Sequence, residues 1–244
     1  MFAIFKKEVR SFFTSPTGYL IIGLFLLLTG LFLWVFKGPF NVFDYGFADL
    51  SNFFLLAPWV FLFLIPAITM KSFSEEMKSG TLELLYIKPI SLWKVVLGKF
   101  WAALFLSFLA LIPTLLYVVT IASLGSTIGN YDLGIALGSY FGLLFLVAAY
   151  TAIGVFSSSL SENQIIAFIT AVFLCFLFFQ GFDSLSTLFS ASSWVQFFQK
   201  IGAKFHFDSI AQGILDTRDL VYFISLALLF LYLTYLRSKK LSKS

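Results

Sequence analysis

Charge is scarce in this sequence. Only 11% of its 244 residues are Asp, Glu, Lys or Arg, against about 25% in soluble domains. With 60% hydrophobic residues and a mean hydropathy of +0.97, this excludes an ordinary soluble globule and marks an integral membrane chain. The length suits a single polytopic domain. The single cysteine, Cys175, lies in an apolar run, so no internal disulfide can form and a packed apolar thiol is expected. The net charge of +4 is no nucleic-acid footprint, because the basic residues cluster beside apolar runs rather than forming a face.

Chemistry is equally thin. No glycine-rich phosphate loop is present: Gly98-Lys99 is followed by Phe100, with Trp93 where the first glycine should stand. If ATP drives this protein, another chain hydrolyses it. No His, Cys, Asp or Glu group has metal-ligand spacing, and no catalytic or cofactor-binding residue is assigned. The interiors of the apolar runs hold no Asp, Glu, Lys, Arg or His. That counts against a proton- or sodium-driven carrier, leaving backbone carbonyls as the other way to coordinate an ion. Gly138-Ser139 and Gly142, with the lone His206, raise an intramembrane serine protease. A dyad needs the base within hydrogen-bond reach, and His206 falls in an outer segment, so helix packing is the reading for Ser139.

What is present is a set of long apolar runs. A span needs about 20 such residues, and six runs qualify: 17–36, 51–70, 100–123, 133–156, 165–182 and 219–236. Pro58, Pro66 and Pro113 fall inside them, which neighbouring helices can accommodate. Residues 1–15 read as an amphipathic elbow helix on the membrane surface. Phe2, Phe5, Val9, Phe12 and Phe13 share one side, and Lys6, Lys7, Arg10 and Thr14 the other. The charge-free run after it exceeds a signal peptide's apolar region, so it reads as an anchor that stays. The expected fold is all-α: six transmembrane helices, the elbow, a charged segment at 71–99 and outer re-entrant half-helices within 183–218.

Lys and Arg placement sets the orientation. With the N-terminus inside, Lys6, Lys7, Arg10, Lys71, Lys78, Lys88, Lys94, Lys99, Arg237, Lys239, Lys240 and Lys243 are cytoplasmic, twelve of sixteen. Lys37, Lys200, Lys204 and Arg218 lie outside. Both termini are then cytoplasmic. The outer segment is rich in Phe, Leu, Ile and Val in pieces too short to span, such as Trp194, Val195, Phe197 and Phe198, and a half-helix is expected over 193–205. Gly134, Gly138 and Gly142 repeat every four residues on the fourth span, where small residues let helices approach. Packing within one subunit and contact with a second copy are both open. Glu162-Asn163-Gln164 reads as a polar cytoplasmic turn, with contact to an ATPase as the other reading.

The segment 71–99 organises the chain. It holds eight charges between two spans: Lys71, Glu75, Glu76, Lys78, Glu83, Lys88, Lys94 and Lys99. Either Ser72 or Ser74 caps a helix that puts Glu75 and Glu76 near its N-terminus, or the helix runs in from the preceding span. Gly80 marks a break, and Thr81 can cap a short amphipathic helix on which Leu82, Leu85 and Tyr86 share a face. Pro89 ends it, and Ser91 can cap the helix that re-enters the membrane.

Read as EMKSGTLELLYIKPIS from Glu76 to Ser91, this stretch resembles the intracellular signature of ATP-binding-cassette type-2 permeases. The approach to the last span, GILDTRD from Gly213 to Asp219, is similar to the same family, so the resemblance covers the whole chain. Over its length the chain resembles most the permeases of gliding-motility ABC transporters of Bacteroidetes-type bacteria. The resemblance implies a non-catalytic exporter subunit in the bacterial inner membrane, with ATP and Mg bound by a separate ABC ATPase. It also implies a second permease copy, or a related membrane subunit, and an auxiliary protein with a large outer domain. Glu75, Glu76, Gly80, Thr81, Leu82, Glu83, Leu85, Tyr86 and Pro89 would then form the ATPase-coupling segment. Leu82, Leu85 and Tyr86 would be its apolar anchors, and Glu76 and Glu83 its ion-pair partners. The mechanism would be alternating access or lateral opening. The alternative is a membrane subunit that passes ATPase force to an outer partner without moving a solute. Membrane lipids are expected partners, and nucleic acid is not.

Overall fold

The computed structural model describes residues 1–46, 49–87, 90–124, 132–189, 192–212, 214 and 216–242, without the side chains of Tyr45, Leu84, Tyr86 and Ile87. Every regular element among them is helical. In chain order these are α1 (Phe2–Thr14), α2 (Pro16–Trp34), α3 (Val42–Tyr45), α4 (Ser51–Thr69), α5 (Lys71–Lys78), α6 (Thr81–Ile87) and α7 (Leu92–Leu111). There follow α8 (Leu115–Leu124), α9 (Leu133–Ser158), α10 (Gln164–Phe176), α11 (Phe182–Ser186), α12 (Ser192–Ile201), α13 (Ala203–Ala211) and α14 (Thr217–Leu241).

Six helical stretches are long and apolar enough to cross a membrane: Pro16–Trp34, Ser51–Lys78, Leu92–Leu124, Leu133–Ser158, Gln164–Ser186 and Thr217–Leu241. Local chemistry sets their starts. Ser15, Asp132, Asn163 and Asp216 each accept a backbone N–H at the first turn of the helix that follows. Several helices outrun the apolar runs. The third begins at Leu92 rather than 100, because Lys94 and Lys99 are tolerated inside it. The sixth continues to Leu241 through Arg237, Lys239 and Lys240, whose charges suit a helix C-terminus. Pro113 is absorbed by a short 3₁₀ turn, Ile112–Thr114, and the Tyr140 hydroxyl donates to the Thr114 carbonyl at 2.9 Å.

The core is centred on α9, whose Leu143, Leu146, Val147, Tyr150 and Ile153 are buried against α4, α7, α10, α13 and α14. Gly142 makes the closest approach, since a Cβ there would overlap the Ile210 side chain of α13. Gly138 is buried on the same face and Gly134 is exposed beside Asp132. The tight contact of this glycine face, at Gly142, is thus with the same chain. Ser139 donates to the Ala211 carbonyl at 3.0 Å, and Cys175 is fully buried.

The two ends of the bundle differ. One gathers α1, α5, α6, the α9–α10 turn and the end of α14, and Arg237 Nε donates to the Ser159 carbonyl there. This is the basic end. The far end carries α3, α11, α12, α13 and the start of α14. The expected half-helix at 193–205 is two helices, because Gly202 adopts an extended conformation (φ −74°, ψ 135°) that ends α12 and starts α13. No residue of α12 is buried, and Trp194 and Phe197 are exposed. At the junction with α14, His206 Nδ1 meets Asp219 Oδ1 at 2.6 Å, Nε2 meets the Lys200 carbonyl at 3.0 Å, and the ring stacks on Tyr222. Both ring nitrogens are occupied away from Ser139, so no Ser-His dyad exists.

Candidate coupling site

The segment after α4 starts without a break in backbone conformation. Met70 has helical dihedrals (φ −54°, ψ −31°), so α5 runs in from the preceding span, and neither Ser72 nor Ser74 caps it. The Ser74 hydroxyl turns back to the Met70 carbonyl. The joint is stitched from outside. Ser158 Oγ of α9 accepts from the N–H groups of Phe73 (2.9 Å) and Ser74 (3.2 Å) and donates to the Met70 carbonyl (2.9 Å). A side chain standing among helix backbone groups in this way is one cause of a bend.

Gly80 ends α5 in the left-handed conformation (φ 66°), which is open to glycine and costly for other residues. Its N–H donates to the Met77 carbonyl at 3.1 Å, and Ser79 Oγ lies 2.8 Å from Thr81 Oγ1. This fixes the reversal into α6. On α6, Thr81 and Glu83 are exposed and Leu85 is half-buried. Leu82 is only 5% exposed and belongs to this chain's own core, so it tethers α6 to the bundle rather than serving as an outward anchor. The Tyr86 side chain, Lys88 and Pro89 lie outside the described residues. Ser91 precedes α7 and its side chain makes no capping hydrogen bond.

Beneath α5 lies a buried ion cluster. The Lys99 side chain is fully buried, with Nζ 2.8 Å from Glu8 Oε1 and 2.9 Å from Glu76 Oε2. It also donates to the Ser72 carbonyl and stands 5.0 Å from the Phe73 ring centroid. The other Glu76 oxygen takes Lys7 Nζ at 2.6 Å. Partial burial pulls the Lys7 ammonium down, but the hydrogen bond and charge of Glu76, with Glu8 and Glu75, hold it above its ordinary value. Glu76 is therefore committed inside the chain, which corrects its expected role as an outward ion-pair partner. A buried charge in place of a wet one follows from three segments converging: α1 packs along α7, with Ile4 against Gly98, and α5 reaches both through Glu76, which pairs with Lys7 and Lys99. Glu75 is exposed and lines a cavity beside α1 and α2.

The arrangement can carry force rather than chemistry. It has an exposed rim (Thr81, Glu83 and the Gly80 turn), a tether (Leu82) and a charged clasp that joins the elbow, the second span and the third. The clasp is what sequence reasoning missed. Its signal was Lys99 amid Val95, Val96, Leu97 and Phe100, a cation that burial would force to find carboxylates. Glu162, Asn163 and Gln164 line a surface depression with Lys78, at the same end as this segment. Among the described residues no group of three or more His, Cys, Asp or Glu could hold a metal ion.

A comparison with curated proteins returned no match. The family model described as ABC-2 family transporter protein matches residues 2–240, nearly the entire chain and both stretches that carried the resemblance. With six helices fit to cross a membrane and that match, the chain belongs to the ABC-2 transporter family, as a multi-pass membrane permease subunit.

Proposed function

We propose that this permease works in an ABC exporter by receiving the stroke of a separate ATPase at the Gly80 turn and α6. The observation that carries the reading is the Glu8–Lys99–Glu76–Lys7 clasp. A push on α6 passes into α5, and the clasp shares it with α1 and α7, so three membrane-entering segments move as one. Thr81, Glu83 and Leu85 form the contact, with Tyr86 and Pro89 completing the segment. Glu75 and Glu76 lie behind it. The ATPase holds the ATP and Mg, and this chain is non-catalytic.

Ten of the fourteen described Lys and Arg fall on the α5–α6 side, which supports a cytoplasmic basic end with both termini inside a bacterial inner membrane. Two copies form the membrane unit. The gliding-motility type is the subfamily reading, with an auxiliary protein of large outer domain engaging the far end.

The test is co-purification of the co-expressed ATPase with Glu83→Lys, Leu85→Ala and Gly80→Pro, against Lys239→Ala at the same end of the bundle. The coupling variants are expected to lose the ATPase or its stimulated hydrolysis while still inserting. Truncating an interface anchor costs about 2 kcal/mol or more. Full retention by all three would reduce the segment to a loop.

A further inference from the structure

A cavity of about 260 Å³ opens between α1, the start of α2, α5 and α7. Its lining is divided by chemistry. Lys71 and Glu75 both face it, four residues apart on α5, about 6 Å along the axis. Lysine before glutamate is the weaker order for a helical ion pair. Among the described residues neither has an opposite charge within ion-pair distance. Lys71 Nζ reaches Thr17 Oγ1 at 3.5 Å, and Thr17 Oγ1 lies 2.6 Å from Ser15 Oγ. This mouth therefore offers a cation with two hydroxyls, and an anion one turn away.

Deeper in, the wall becomes apolar at Ile21 and Ala67. Both residues also line a second groove of about 490 Å³, between α2, α4 and α10, whose lining is almost wholly apolar and includes Leu28 and Trp59. Charged mouth and apolar groove thus adjoin at Ile21 and Ala67, with the polarity order of a lipid.

We propose that this feature holds one phospholipid with a phosphoethanolamine headgroup, kept as a resident wedge beneath α1 and not carried across. The phosphate oxygens accept from Lys71 and from the Thr17 and Ser15 hydroxyls. The ammonium donates to Glu75, at the spacing a two-carbon link covers. An acyl chain follows Ile21 and Ala67 into the groove. A bare phosphate ion would meet Glu75 with no cation of its own for it, since Glu8 is already paired with Lys99. A glycerol headgroup leaves Glu75 unpaired, and a choline has no N–H to donate. The site needs neither the ATPase nor a given orientation in the membrane.

The experiment is native mass spectrometry of the purified full-length permease, delipidated and offered equal dioleoyl phosphatidylethanolamine, phosphatidylglycerol and phosphatidylcholine. The ethanolamine lipid is expected to be retained about tenfold over the other two, the size of one charge-assisted hydrogen bond. Glu75→Gln should abolish that preference, and Lys71→Ala should lower retention of all three. Ala67→Phe, or Leu28→Trp where Ala67→Phe lowers the yield, should block the tail and release the lipid. Lys239→Ala should change nothing, and soluble O-phosphoethanolamine should not compete. Equal retention of the three lipids by the unmodified chain, or an intact preference in Glu75→Gln, overturns the proposal. Retention is read on the permease alone, so a failure of ATPase coupling leaves this result untouched.

Discussion

Lys99 Nζ lies 2.9 Å from Glu76 Oε2, with no part of the lysine side chain exposed, although the two residues sit on opposite sides of the Gly80 reversal. The pair converts a charged connection between two spans into a closed loop. Removing Lys99 leaves Glu8 without its ion pair and Glu76 with Lys7 alone, so the roughly 3–5 kcal/mol for breaking a fully buried pair is an upper bound here. Lys99→Met alone is therefore expected to lower the melting temperature of the purified permease markedly. Lys99→Met combined with Glu76→Gln and Glu8→Gln should recover much of the loss. A triple variant no more stable than the single one would show that packing, not charge, holds the joint.

The contact at Gly142 makes a second prediction. A Cβ there overlaps the Ile210 side chain, so Gly142→Ala should cost about 1–3 kcal/mol by overpacking. Ile210→Ala in the same chain should give much of it back. Additive losses in the two-residue cycle, measured by thermal melting, would mean that α13 moves aside instead.

Topology is open to labelling. In a chain with Cys175 replaced, cysteines at Ser79 and Ser242 should be shielded from an impermeant thiol reagent in intact cells. Both positions are exposed at the basic end, so burial does not explain a lack of reaction. A cysteine at Gly129, outside the described residues, should react. Labelling at Ser79 from outside would reverse the orientation.

The far-end helix α12 places Trp194 and Phe197 in the open, with Phe189 and Phe198 stacked beside them. Seated at a lipid surface, it should show slow amide exchange over 196–202 in nanodiscs, where the Gly202 N–H donates to the Phe198 and Gln199 carbonyls, with the first turn exchanging faster. Uniformly fast exchange across the segment would mark a free strand of chain.

Much of the fold was legible because an apolar run must be helical in lipid. Six runs place the spans to within a few residues, except where charge continues a helix. Periodicity put Leu82 and Leu85 on one face, but periodicity names a face and not what the face meets. Leu82 turned out to meet its own core. Lys99 read as wet because its carboxylates come from elements distant in sequence, Glu8 lying 91 positions away. The break at Gly202 was hidden for a simpler reason: an extended glycine between two short amphipathic turns leaves no charge or proline to mark it.

The Ser158 joint has a mechanical meaning. The angle at which α5 leaves the second span is not set by that rod alone. It is set where a hydroxyl of the central helix holds the Met70 carbonyl and the N–H groups of Phe73 and Ser74. The fulcrum of the lever thus belongs to α9, while its short arm ends at the Gly80 turn and its long arm runs toward Ser51. A shift of α9 along its own axis re-aims the short arm. A load on the short arm is likewise passed to α9, which packs against α4, α7, α10 and α14.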